Sequence, residues 1–386
     1  MNGRRLASID ALRGVAALGV VLFHTNAIPG VDRRLFYGDA VDAAAFFGKF
    51  GVWLFFVISG FCIHLQWVRA KLDPSIQPMG AADFWKRRIR RLYPPYLVTL
   101  VFYVWLRHHL GELPFTALSA WKVGLHLVML QNLDLRAMGA MNNVYWTLAV
   151  EEQLYLLYFV FLVVRRRWGW PATFAVVGGA RVAWFAAAML LHRVWHVDIM
   201  VTQAAAAQWI VWVLGALAVE GACGLTLLPR WTRSVWVGGG ALVVAGVMSW
   251  AQNYWLTGGA LDNSIWLVVD VVWGIGFFAV LNALVAREAT WVRAGRAPIV
   301  VAGLAWIGLF SYSLYLTHEF IEWRVWPFVA SRLAAAGVLL PQIVVMAILA
   351  AACVAFARVF FGLFERPFLT RRDPSVASPL LEATQA

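Results

Sequence analysis

The chain has 386 residues, of which 62% are hydrophobic and 13% charged. A soluble domain is about a quarter charged, so this sequence lacks the polar residues to coat a water-facing surface; a soluble enzyme, a disordered chain and a nucleic-acid binder are excluded. The net charge of +12 then reads as the basic loops of a membrane protein rather than as a nucleic-acid surface.

A membrane-crossing helix needs about 20 mostly apolar residues, and about ten stretches have that character. They are 9–27, 46–67, 94–113, 144–164, 171–191, 203–222, 234–251, 264–286, 299–319 and 338–364. The expected fold is all-α: a polytopic transmembrane helix bundle over 1–372, followed by a polar, disordered cytoplasmic tail, 373–386. Arg4 and Arg5 precede an apolar run, as in a signal peptide. Asp10 and Arg13 interrupt that run and no small-residue cleavage site follows, so it is expected to stay as the first helix. The connection 114–143 holds a partly amphipathic stretch, Phe115 to Leu130, where Pro114, Lys122 and His126 favour an interfacial or folded-back segment over a span. With the N-terminus inside, Lys and Arg of the inner segments outnumber those of the outer ones by about two to one, which places both termini in the cytoplasm. Cys62, Cys223 and Cys353 lie in apolar stretches without a C-x-x-C, so neither a disulfide framework nor a structural metal is expected.

Ionisable residues inside a span are costly and tend to be functional. In the first segment Arg13 and His24 are eleven residues apart, which puts them within about 20° of one helix face and about 16 Å apart along the axis. Alone, they read as a snorkelling arginine and a hydrogen-bonded core histidine. In the second segment Ser59 precedes Gly60; the pair reads as a close helix packing step or as an acyl-carrying nucleophile. Five cations, Lys86, Arg87, Arg88, Arg90 and Arg91, open the third. Arg88 and Arg91 share a face, and arginine forks suit phosphate, whether of a ligand or of anionic lipid headgroups.

The fourth segment opens with Trp146 and Thr147 and carries Glu151 and Glu152 about two turns in. These carboxylates point about 100° apart, so one at most faces a given site. A carboxylate beside a histidine fixes its tautomer and raises its basicity; the structural alternative is a buried ion pair, for instance with Arg181. The ninth segment ends with Ser313, Tyr315, Thr317 and His318. His64, His108, His109, His126, His192 and His196 lack such polar neighbours in sequence and read as loop or packing residues.

Together these segments resemble the acyltransferase 3 family of bacterial integral-membrane O-acyltransferases over roughly 5–368. The resemblance rests on the R-x10-H of Arg13 and His24, the S-G-F from Ser59, and the R-x-x-R of Arg88 and Arg91 before Leu92-Tyr93-Pro94. The W-T-L-x-x-E from Trp146 to Glu151, the S-x-Y-L-x-H from Ser313 to His318, and Glu365-Arg366-Pro367 complete it. Thr147 stands where family members usually have serine. The resemblance implies transfer of an acyl group, commonly acetyl, from cytoplasmic acyl-CoA to a hydroxyl of an extracytoplasmic or lipid-linked glycan, in the bacterial inner membrane. His24 is then expected as general base and Glu151 as its orienting carboxylate. Arg88, Arg91 and Arg13 would hold the CoA phosphates or pantetheine arm; Ser313, Tyr315 and His318, with Ser59 and Trp146, would shape the substrate side. No metal is expected, and polysaccharide-assembly proteins are candidate partners. Some family members carry an extracytoplasmic hydrolase-like domain; here that activity is expected from another protein. Two other readings stand beside this one: a transporter or flippase using His and Glu as a proton relay, and a non-catalytic subunit of a polysaccharide machine.

Overall fold

In the computed structural model the described residues are 6–25, 31–32, 38–199, 201–254, 260–338 and 340–369. The tail 373–386, and Arg4, Arg5, Arg33, Arg34, Arg371 and Arg372 of the charge comparison, lie outside them. In chain order the helices are α1 (Ala7–Thr25), α2 (Gly38–Phe46), α3 (Gly51–Leu72), α4 (Ala81–His109), α5 (Ala117–Leu127), α6 (Tyr145–Trp195) and α7 (Ala205–Ala222). Then come α8 (Val235–Tyr254), α9 (Ala260–Arg293), α10 (Ile299–Gly308), α11 (Ser311–Phe320), α12 (Trp326–Ala335) and α13 (Gln342–Phe360). Two short segments, β1 (Val31–Asp32) and β2 (Leu340–Pro341), pair in parallel.

Seven helical stretches among the described residues are long and apolar enough to cross a membrane, or eight if Ile299–Gly308 and Ser311–Ala335, bent by 69°, form one span. Apolar side chains such as Val101, Leu156, Val163, Val243 and Val359 point outward, which only a lipid surround makes favourable. The chain is a multi-pass membrane protein. Seven or eight differs from the ten expected for identifiable reasons. The stretches 144–164 and 171–191 both fall on the 51-residue α6. A straight helix of that length would run about 77 Å, far beyond a hydrocarbon core of about 30 Å. It is broken at Gly169, whose φ of 78° lies in the left-handed region that only glycine enters cheaply, with Pro171 just beyond. Helix α4 fails on composition, because Lys86, Arg87, Arg88, Arg90 and Arg91 crowd its first half and Pro94, Pro95, Arg107, His108 and His109 dilute the apolar residues of the rest.

The residues sort into two compact units. The first gathers Met1–Phe55, Leu72–Thr99 and Leu284–Ala386. Here α1 lies directly on α10, because small residues remove the side chains that would hold the backbones apart. A Cβ at Gly14 would strike the carbonyl of Leu304, and one at Gly308 the carbonyl of Asp10. The start of α3 approaches in the same way, Gly51 resting on Ala16. The first amides of α1, which have no partner within the helix, are taken by Glu288 of α9: Ala7 N–H and Ser8 N–H donate to its two oxygens at 2.8 and 2.9 Å. The apolar core includes Val21, Phe310, Leu314, Val345, Leu349 and Cys353.

The second unit gathers Phe56–Lys71 and Leu100–Ala283. Gly60 of α3 meets the carbonyl of Trp212 and Gly215 of α7 meets that of Val57, so the Ser59–Gly60 step is a close helix crossing. Arg181 does not pair with Glu151 or Glu152. It donates to Asp270 at 3.3 Å and to the carbonyls of Leu267 and Trp266, because α6 beyond its break at Gly169 runs beside α9. His64 is not a plain packing residue either. Fully buried, it bonds Glu220 of α7 at 3.0 Å and Tyr158 of α6 at 3.4 Å, partners that lie far away in sequence. Helix α5 occupies the expected amphipathic stretch. At 11 residues it is about 16 Å long, too short to cross, and Thr116 caps it by accepting from Ser119 N–H. Past it, Asp134 accepts from Trp121 and Arg136, and the Arg136 guanidinium holds that carboxyl well below the usual range.

Candidate active site

The first unit gathers most of the singled-out polar residues around α1 and α11. His24 lies in the last turn of α1, where its Nδ1–H donates to Val20 O at 2.9 Å. Helix α11 begins after the sharp bend from α10, and a broken helix frees backbone and aims side chains inward, as at many membrane-protein sites. From α11 into the turn that continues it (Ile321–Val325), Tyr315, His318 and Glu322 are spaced by three and four residues and share a face. His318 donates from Nδ1 to Leu314 O at 3.1 Å. Its Nε2 stands 3.3 Å from Nδ1 of His24, and the Tyr315 ring is 5.8 Å from its own. Phe55 abuts Tyr315 edge-on.

At the other end of the same α1 face, Arg13 pairs with Asp10 at 3.6 Å. Ser313 donates to Glu365 at 2.5 Å, and the guanidiniums of Arg91 and Arg13 act on that carboxylate. Tyr312 ties α11 to α4 by donating to Leu92 O at 2.9 Å. Arg88 and Arg91 are half-buried while Lys86, Arg87 and Arg90 are exposed, so the expected i, i+3 arginine face is the inward one. Arg88 also lies over the Phe84 ring.

The second unit holds the other candidates. Glu151 accepts from Ser59 Oγ at 2.7 Å and from Tyr155 OH at 2.5 Å, and Trp212 Nε1 donates to Ser59 Oγ at 3.3 Å. Ser59 is therefore held by two polar partners, with its proton directed at the Glu151 carboxylate. Trp146 sits half-buried in the first turn of α6, and Thr147 donates to Val144 O.

The structure thus brings together His24 with His318, Ser313 with Glu365 and the Arg13 and Arg91 charges, and Ser59 with Glu151. Sequence reasoning passed over Glu322, Tyr155, Trp212 and the Glu220 network. For Glu322 a signal existed, a carboxylate four residues after His318 on one helix face. The contacts of Tyr155 and Trp212 depend on tertiary packing.

A family model described as an acyltransferase domain matches residues 6–361. O-acetyltransferase OatA of Staphylococcus aureus strain NCTC 8325 / PS 47 is 31% identical over 163 residues, covering 40% of this chain and 24% of the relative. OatA of strain MRSA252 gives the same figures: 31% over 163 residues, 40% and 24%. The matched stretch thus spans about a quarter of those relatives' length. No solved structure matches the chain.

Proposed function

Because the chain belongs to this acyltransferase family, we propose that it is a membrane O-acetyltransferase that moves acetyl from acetyl-CoA on the cytoplasmic face to a hydroxyl of an extracytoplasmic or lipid-linked glycan. The observation that carries the reading is His24: a histidine in an apolar helix, held by Val20 O and placed against His318. The Nδ1–H bond to a carbonyl fixes the tautomer and leaves the Nε2 lone pair to take a proton. In the reaction the acceptor hydroxyl attacks the thioester carbonyl, the C–O bond forms as the C–S bond breaks, His24 takes the hydroxyl proton, and the proton passes to the leaving thiolate. Arg88 and Arg91, with Arg13, bind the phosphates of the donor. His318 and Tyr315 flank the base, Ser313 with Glu365 sets the start of α11, and Glu151, bonded to Ser59 and Tyr155, is the second carboxylate assigned a role, with Trp146 on the substrate side.

The fuller topology belongs to the same proposal: ten spans with both termini cytoplasmic in a bacterial inner membrane, α6 counting as two across Gly169 and α4 and the bent pair as one each. Membranes containing the chain should transfer labelled acetyl from acetyl-CoA to glycan. His24→Ala and Glu151→Gln should each abolish transfer, by a factor of about 100 or more for loss of a general base. Full activity in both variants, with folding intact, would overturn the assignment.

A further inference from the structure

Glu322 is fully buried, and among the described residues neither of its carboxylate oxygens has a hydrogen-bond partner. The charge acting on it is Glu319, of the same sign. An ionised carboxylate in that position needs a counter-charge. Facing it are two imidazoles: one ligand atom each from His24, His318 and Glu322 lie within 4.8 Å of one another.

We propose that these three residues bind one divalent transition-metal cation of the zinc class. Two nitrogens and one oxygen suit zinc and its neighbours, whereas magnesium and calcium require mostly oxygen. A tetrahedral ion with bonds of about 2.0–2.2 Å holds its donors about 3.3–3.5 Å apart, so ligand atoms that lie within 4.8 Å of one another close on it by small side-chain shifts. Each imidazole donates Nδ1–H to a main-chain carbonyl, Val20 or Leu314. Such outer bonds orient metal-binding histidines and set their tautomer. Glu322 lies within a π-helical turn, Ile321–Val325, a distortion often found at functional sites. The dication would neutralise Glu322 and offset Glu319. Three protein ligands leave a fourth position for water, as in open zinc sites. The sequence shows no ligand cluster because His24 and His318 are 294 residues apart.

The test uses the full chain in lipid nanodiscs, stripped with chelator and dialysed against graded Zn2+, with bound metal counted by mass spectrometry. One ion per chain is expected, and Glu322→Gln and His318→Ala should each weaken binding by about tenfold or more. Co2+ on the wild-type chain should give visible absorption of a four-coordinate site, a readout that needs no variant to fold. No stoichiometric ion, or unchanged affinity in both variants, overturns the proposal. Binding stands apart from the acyl-transfer reading, but its consequence rests on that reading: an ion on His24 withdraws the base, so saturating Zn2+ should stop transfer. Zinc bound stoichiometrically with transfer unaffected would support the site and overturn the role given to His24.

Discussion

Replacing Glu220 with alanine should destabilise the second unit severely. The carboxylate is wholly buried, and its two oxygens accept from His64 at 3.0 Å, from Arg165 at 2.6 and 3.1 Å, from Trp170 at 3.0 Å and from Thr226 at 2.6 Å. Removing it strands donors from α3, from both sides of the α6 break, and from the chain beyond α7. Breaking a buried ion pair from one side costs about 3–5 kcal/mol. The Arg165 side chain keeps 20% of its exposure, so partial rehydration puts the loss near the lower end, about 3 kcal/mol. At about 2 °C per kcal/mol the midpoint of thermal unfolding falls by about 6 °C. Glu220→Gln keeps the volume and part of the bonding and should cost about 1–2 kcal/mol. Tryptophan fluorescence during heating in detergent follows the transition. A double-mutant cycle with Arg165→Gln should show coupling of about 1 kcal/mol or more. An alanine variant that melts within about 1 °C of wild type would refute the claim that this network ties α3, α6 and α7 together.

Gly308→Val should cost about 1–3 kcal/mol or more by forcing α10 off α1; Gly303→Ala, whose added Cβ meets nothing within 4 Å, should be neutral in the same melting assay. Reversing the charges of Arg88 and Arg91 should raise the acetyl-CoA concentration needed for half-maximal transfer by about tenfold or more; unchanged donor affinity would return these residues to lipid anchoring. Asp134, whose carboxyl Arg136 and Trp121 hold below its usual range, stabilises the segment after α5 at any pH above the unfolded carboxylate value of about 4. That contribution fades as pH falls through the lowered folded value. Asp134→Asn should therefore speed hydrogen exchange around 121–136 at neutral pH, with the difference from wild type closing only in strong acid.

Much of the helical frame was legible because lipid imposes one rule, about 20 apolar residues per crossing, and the described parts of the expected segments are largely helical, although 299–319 is split between α10 and α11 by a sharp bend. Local periodicity also located the half-buried Arg88–Arg91 face and the Ser59–Gly60 crossing, since both follow from 100° per residue and the size of a missing side chain. Pairings were not legible. His64 looked isolated because its partners Glu220 and Tyr158 arrive from α7 and α6. Arg181 was offered as a partner to Glu151 and Glu152 of the preceding segment, whereas its place beyond the α6 break at Gly169 sets it against Asp270. Glu322 was missed although it lies on the His318 face, because a single glutamate near the end of an apolar run resembles a boundary residue until its burial is known.

The clamp of Glu288 on the first amides of α1 has a consequence for biogenesis. The opening turn of the chain is synthesised hundreds of residues before the carboxylate that completes it, and α10, whose backbone it rests upon, emerges later still. During translation that turn must rely on water for its bonds. Helix α1, made well before α9 and α10, thus reaches its final seat only after both, and a nascent chain halted before residue 288 should leave it open to proteases.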